Sequence, residues 1–214
     1  MHIQIKDVTK TLYTIRLEKN KVLDNVSMEM SSGKVYGLSG INGSGKTMIM
    51  RVLCGLLKPD KGEVIIDGKK LGKDIDFPES VGLLLESPAF LGGYSAFDNL
   101  KKLAELNGKV NKSEIEKTIE RVGLDPHDPK KAKKFSLGMK QRLGIAMALV
   151  GSPELVILDE PTNALDSSGV EIVQKIISEE RSRGALVVVA CHDKNVLESV
   201  ADKIFVINKG KIEA

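Results

Sequence analysis

Apolar positions along this chain change their spacing twice. His2 to Val8 alternates apolar and polar side chains, the pattern of a half-buried strand. A polar segment, Glu18 to Lys21, precedes a second alternating run through Val22, Val26, Met28 and Met30, which stops at Ser31-Ser32-Gly33. These two runs predict an antiparallel β layer. Val35 to Ser39 is short and apolar, like a buried strand, and Met48 to Leu53 is apolar enough for a buried helix. Gly55 and Lys58-Pro59-Asp60 stop that helix. Gly62 to Asp67 reads as a strand closed by the turn pair Asp67-Gly68, and Val81 to Leu85 as another short strand.

From about Ser87 to Val150 the spacing becomes helical. Ala96 to Leu106 places Leu100, Leu103 and Leu106 on one face and ends at Asn107-Gly108. Ser113 and Glu116 read as a capping box opening a helix that stops at Gly123. Asp125 to Lys134 is a loop, and Gly138 to Val150 a helix. Strands and helices then alternate: strand Leu155 to Leu158, helix Ser167 to Arg183, strand Leu186 to Ala190, helix Lys194 to Val200, strand Lys203 to Ile207. Such alternation predicts a mainly parallel sheet covered by helices.

Between the Val35 strand and the Met48 helix stands Gly40-Ile41-Asn42-Gly43-Ser44-Gly45-Lys46-Thr47, the G-x-x-x-x-G-K-T pattern of a P-loop in its required strand–loop–helix setting. Gly40, Gly43 and Gly45 let the loop wrap an anion, and its N–H groups and the following helix N-terminus point at phosphate oxygens. Lys46 adds a cation for the β- and γ-phosphates, and the Thr47 hydroxyl can ligate Mg²⁺. The expectation is a bound nucleoside triphosphate, with Asn42 and Ser44 in the same cradle.

Leu155 to Leu158 runs straight into Asp159 and Glu160. Alone, that pair is a solvated strand end. In a parallel sheet it opens onto the crevice that the P-loop faces. There Asp159 can hold Mg²⁺ and Glu160 can polarise the water that attacks the γ-phosphate. His192 follows a third strand to the same edge and is expected to contact the γ-phosphate.

Composition changes this picture little. The 214 residues suffice for one large domain or a core with a subdomain, and a net charge of +3 makes no case for nucleic acid as a partner. No apolar run approaches the ~18–20 residues of a membrane span, and Lys6, Asp7 and Lys10 interrupt any N-terminal signal segment. Cys54 and Cys191 lie far apart and read as reduced thiols in a cytosolic core.

Phe135-Ser136-Leu137-Gly138-Met139-Lys140-Gln141-Arg142 resembles the signature region of the ATP-binding-cassette (ABC) ATPases, and the resemblance covers essentially the whole chain. It implies an α/β fold of the P-loop NTPase (RecA-like) type. This is a mainly parallel sheet core with the N-terminal antiparallel β layer (1–86 and 151–214) and an inserted α-helical subdomain (87–150) carrying the signature. It implies that Ser136 and Gly138, at a helix N-terminus, close over ATP held by a second cassette in a head-to-tail dimer. Pro161 to Asp166 is similar to the family's loop after the acidic strand, where Asp166 links the two sites.

Two positions depart from the common form. Glu86 follows the Val81 strand where the family usually has Gln; it can still ligate Mg²⁺ but cannot donate a hydrogen bond. Glu86-Ser87-Pro88-Ala89-Phe90 and the signature are similar to the branch of bacitracin resistance and lantibiotic immunity, which implies export of a peptide antibiotic or other small amphipathic substrate. The adenine-stacking aromatic expected after Thr9-Lys10 is replaced by Leu12. Tyr13 is then either the stacker or an ordinary half-buried strand residue. Phe77, Phe90, Tyr94 and Phe97 form either a groove for a partner helix or the small core of the helical part. Lys130, Lys131, Lys133 and Lys134 read as a solvated surface, and the end at Ala214 as leaving no room for a regulatory extension. The resemblance thus implies an ATP-hydrolysing subunit held on the cytoplasmic face of a membrane by separate permease subunits. A soluble ABC ATPase of translation or DNA repair is the rival reading, and a P-loop kinase, which needs no signature region, a weaker one.

Overall fold

The strands fold into two different sheets. The computed structural model describes residues 1–13, 18–108 and 110–213, and Ala214 lies outside them. In chain order the elements are β1 (His2–Tyr13), β2 (Lys19–Ser31), β3 (Val35–Ser39), α1 (Lys46–Leu53), β4 (Lys61–Ile66), β5 (Lys69–Lys70) and β6 (Val81–Leu84). There follow α2 (Ala96–Asn107), α3 (Lys112–Arg121), α4 (Leu137–Leu149), β7 (Leu155–Asp159), α5 (Ser167–Ser182), β8 (Leu186–Ala190), α6 (Lys194–Val200), β9 (Lys203–Asn208) and β10 (Lys211–Ile212).

The first sheet is antiparallel in the order β2-β1-β4-β5, with Ile5 opposite Met28 on one side and Val64 on the other. The second runs β10-β9-β3-β8-β7-β6. Its four pairings from β9 to β6 are parallel, and β10 pairs with β9 antiparallel. Strand β7 shows why its sequence is apolar throughout. Leu155 and Ile157 join α1 and the antiparallel sheet in one core. Val156 and Leu158 join residues of α4, α5 and α6 in the other. A strand covered on both faces has no polar side to alternate with.

β1 extends past Val8 to Tyr13, and β2 begins at Lys19 rather than at Val22. The alternation fails to show this because β1 is bulged: register shifts fall on either side of Val8, and Asp7 has φ 51°. Each extra residue flips which side chains face the core.

The capping box of α3 is also displaced. Asn111, not Ser113, is the N-cap: its side-chain oxygen accepts from the Glu114 N–H at 2.9 Å, while the Glu114 carboxylate accepts from the Asn111 N–H at 2.9 Å. Ser113 is already inside the helix. Helix α2 opens with its own box, Ser95 and Asp98, and closes at Gly108 with φ 94°. Helices α2, α3 and α4 pack together, and α4 also packs on β6 and β7, so one core runs from the helices into the sheet. Cys54 and Cys191 are free and buried, and burial pushes the Cys54 thiol up to about 12. Among the described residues no helix is long and apolar enough to cross a membrane. Because β3, β7 and β8 are parallel, the residues that follow them meet at one edge of the sheet.

Candidate functional site

At that edge lies a cleft of about 580 Å³ lined by Asn42 to Thr47, Glu86, Asp159 and Glu160, together with Leu12, Asn20 and Val22 from the antiparallel sheet. The loop can be built only from glycine at two points. At Gly40, φ 154°, a Cβ would stand 2.3 Å from the Ile207 carbonyl oxygen. At Gly45, φ 116°, it would stand 2.9 Å from that of Val22. Lys46 folds back over the loop, donating to the carbonyls of Gly40 (2.7 Å) and Ile41 (3.3 Å). The Thr47 hydroxyl donates to Asp159 Oδ2 at 2.6 Å.

Two features fit a bound phosphate and its metal. The Ser44 hydroxyl is buried with no hydrogen-bond partner among the described residues, a costly arrangement that an anion inside the loop would satisfy. Burial above all pushes the Asp159 carboxyl up from its ordinary value. The Thr47 hydrogen bond lowers it, the Glu160 charge raises it, Lys46 lowers it and Glu86 raises it. A divalent cation would reverse that balance. Among the described residues no group of three or more His, Cys, Asp or Glu side chains is arranged to hold a metal ion on its own. This donor set suits Mg²⁺, which takes one or two protein oxygens beside substrate phosphates.

Glu160 leaves β7 in the left-handed region, φ 49°. Its N–H donates to the Ala190 carbonyl at 2.8 Å, and its own carbonyl accepts from Gln141 Nε2 of α4 at 3.0 Å. Its side-chain Oε2 lies 2.8 Å from His192 Nδ1. His192 is therefore brought to Glu160, at the rim rather than among the cleft-lining residues, with its side chain 63% exposed. Glu86, also left-handed (φ 57°), lines the cleft and takes Arg51 Nη2 at 2.6 Å. Tyr13 stands at the end of β1, 64% exposed and off the lining, while Leu12 is on it.

Ser136 and Gly138 are not brought to this cleft. They line a second cavity of about 630 Å³ with Met139, Arg142 and Asp166. Ser136 caps α4, its Oγ accepting from the Met139 N–H at 3.2 Å. Asp166 caps α5 through the Gly169 N–H at 2.9 Å and lies 3.5 Å from Arg142 Nη2. The Gly169 N–H, then the Ser168 hydroxyl, hold its carboxyl below the usual value, with a smaller contribution from the Arg142 charge. The sequence reading missed two residues, Gln141 and Arg51, and set Leu12 aside in favour of Tyr13 although Leu12 lines the cleft. Gln141 stood inside the signature run, a signal that went unused; nothing in the spacing marks Arg51.

A family model described as ABC transporter matches residues 23–163. The ABC transporter ATP-binding protein YybJ of Bacillus subtilis (strain 168) is 44% identical over 99% of this chain and 94% of its own length. The lantibiotic transport ATP-binding protein SrtF of Streptococcus pyogenes is 41% identical over 91% of this chain and 83% of its own. A solved dimeric, post-hydrolysis structure of the ATP-binding cassette MJ0796 bound to ADP and Pi superimposes with a TM-score of 0.89 at 27% identity, covering 99% of this chain and 97% of that one. These findings favour a transporter over the translation and DNA-repair reading. With its P-loop cleft, acidic strand end and capped signature helix, this chain belongs to the ABC transporter family, as an ATP-binding and ATP-hydrolysing subunit.

Proposed function

We propose that two such cassettes close head to tail on two ATP molecules and drive export of a peptide antibiotic, or another small amphipathic substrate, through separate transmembrane permease subunits. The subunit would then lie in the cytoplasm, peripheral on the inner face of the membrane. The observation that carries the dimer is the separation of the two anion-binding elements. The P-loop cleft and the Ser136–Gly138 helix end line different cavities of one chain, so a second cassette is what could bring the signature over bound ATP. The substrate class follows the lantibiotic transport relative. Residues 87–150 would be the subdomain that meets the permease, with the exposed Tyr94 on the surface offered, while Phe90 and Phe97 pack half-buried against the core.

In this reading Gly40 to Thr47 wrap the phosphates, Lys46 exchanges its loop carbonyls for phosphate oxygens, and the base lies against the Leu12–Tyr13 end of β1. Thr47, Asp159 and Glu86 would hold Mg²⁺, which when bound would supply positive charge against the phosphates. Glu160 accepts a proton from the attacking water, with His192 fixing its carboxylate and reaching toward the γ-phosphate. The test is Glu160→Gln, examined by sedimentation with and without Mg·ATP. It should bind ATP, lose turnover by at least ~100-fold and shift from monomer to dimer. Unchanged hydrolysis removes Glu160 from the mechanism. A persistent monomer means that the cassette needs a different partner or the permease to close.

A further inference from the structure

Glu86 is an acidic residue in a cleft that already holds Asp159 and Glu160 and must receive a triphosphate. Its charge is felt at Asp159, whose carboxyl it helps to push up. Lys46 is engaged by loop carbonyls, so it does not answer Glu86. The cation that does is Arg51 of α1, whose Nη2 lies 2.6 Å from Glu86 Oε1. Arg51 is one helical turn beyond Thr47 and shares its face of α1, so it reaches Glu86 from beside the cleft-lining Thr47 without lining the cleft itself. The pair also spans two parts of the fold, because Glu86 leaves β6 toward the helices in a backbone conformation that a non-glycine residue holds only when its surroundings enforce it. Both side chains are substantially exposed, 40% and 57%. An ion pair in that setting contributes little to folding, so its consequence lies in where it puts the carboxylate.

We propose that Arg51 is a positioning residue which holds the Glu86 carboxylate and competes with the divalent metal for it. Without metal, the guanidinium neutralises Glu86 and keeps the cleft receptive to the triphosphate. When Mg²⁺ enters with nucleotide, Glu86 transfers from Arg51 to the ion. Because Glu86 lies between β6 and the helices, this exchange couples metal occupancy to the helical part of the chain. An amide at position 86 would have no charge to exchange, so the device belongs to chains with a carboxylate there. The inference rests on reading the P-loop cleft as a Mg·ATP site.

The experiment is calorimetric binding of the non-hydrolysable analogue AMP-PNP to the purified full chain, at free Mg²⁺ from chelator-buffered zero to millimolar. Wild type, Arg51→Met, Arg51→Lys, Glu86→Gln and the Arg51→Met/Glu86→Gln double variant are compared. Arg51→Met should weaken metal-free binding about threefold or more, because Glu86 is left uncompensated near the phosphates. It should also lower the half-saturating Mg²⁺ about fivefold, because the carboxylate is free to ligate. Arg51→Lys should restore most of both. In the Glu86→Gln background, Arg51→Met should leave the half-saturating Mg²⁺ within about twofold, since the competitor has gone. An equal shift in both backgrounds would show a general loss of positive charge and overturn the proposal, as would an unchanged Mg²⁺ dependence in Arg51→Met. Absence of Mg²⁺-dependent binding in wild type would sink the reading of the cleft itself, a distinguishable result.

Discussion

A single hydroxyl shows how much of the site is prepared in advance. Ser44 Oγ is buried and has no partner among the described residues, so the folded chain carries an unmet desolvation cost that a phosphate oxygen would remove. Ser44→Ala should therefore leave the stability of the ligand-free chain unchanged or slightly higher, by up to ~1 kcal/mol in denaturant unfolding. It should weaken ATP roughly 10-fold to 100-fold, near the ~1.5–3 kcal/mol of one hydrogen bond to a charged group. A loss of ligand-free stability would mean that the hydroxyl has a structural partner. At this scale the sequence was most readable where a motif dictates backbone. Gly45, Lys46 and Thr47 line the cleft, and Gly40 and Gly45 take the positive φ that their spacing in the loop requires. It was least readable where one side chain is chosen by another far along the chain. Arg51 answers Glu86 across 35 positions, and no local period records that.

Elements were legible in proportion to how completely tertiary burial fixes their pattern. β7 and β8 are covered on both faces and appear in the sequence as unbroken apolar runs with correct bounds to within a residue. β1 faces a core on one side only and is bulged, so its pattern goes out of phase before the strand ends. The start of α3 failed for a different reason. Two capping boxes, Asn111–Glu114 and Ser113–Glu116, are chemically possible within two residues of each other, and side-chain chemistry alone does not rank them. The chain adopts the first, with Asn111 at φ −81° and ψ 166°. Asn111→Ala should accordingly cost about 1 kcal/mol by shift of the urea midpoint, while Ser113→Ala, inside the helix, should stay within ~0.5 kcal/mol. The reverse order would restore the Ser113 cap.

Across the whole molecule, α4 is the member that ties the site together. Its N-terminus carries Ser136, Gln141 in its first half holds the Glu160 carbonyl, and its later turns lie against β6, the strand that leads to Glu86. That last contact depends on glycine. A Cβ at Gly82 of β6 would stand 1.7 Å from the Ala148 carbonyl oxygen and 2.8 Å from Pro153 Cγ. Backbone cannot yield as a side chain does, so Gly82→Ala must push β6 and α4 apart. The cost should reach about 1–3 kcal/mol, a fall in Tm of roughly 2–4 °C for each kcal/mol in a chain of this size. Gly93→Ala is the matched control, because a Cβ there meets nothing within 4 Å. It should melt within about 2 °C of the parent. β6 also pairs with β7, which ends at Asp159, so the displacement should reach the cleft and weaken ATP binding in the protein that remains folded. If Gly82→Ala melts and binds as Gly93→Ala does, β6 can move without disturbing the nucleotide edge. The strand would then be a loose border of the sheet, and the tie between helices and site would run through Gln141 and the packing of α4 on β7.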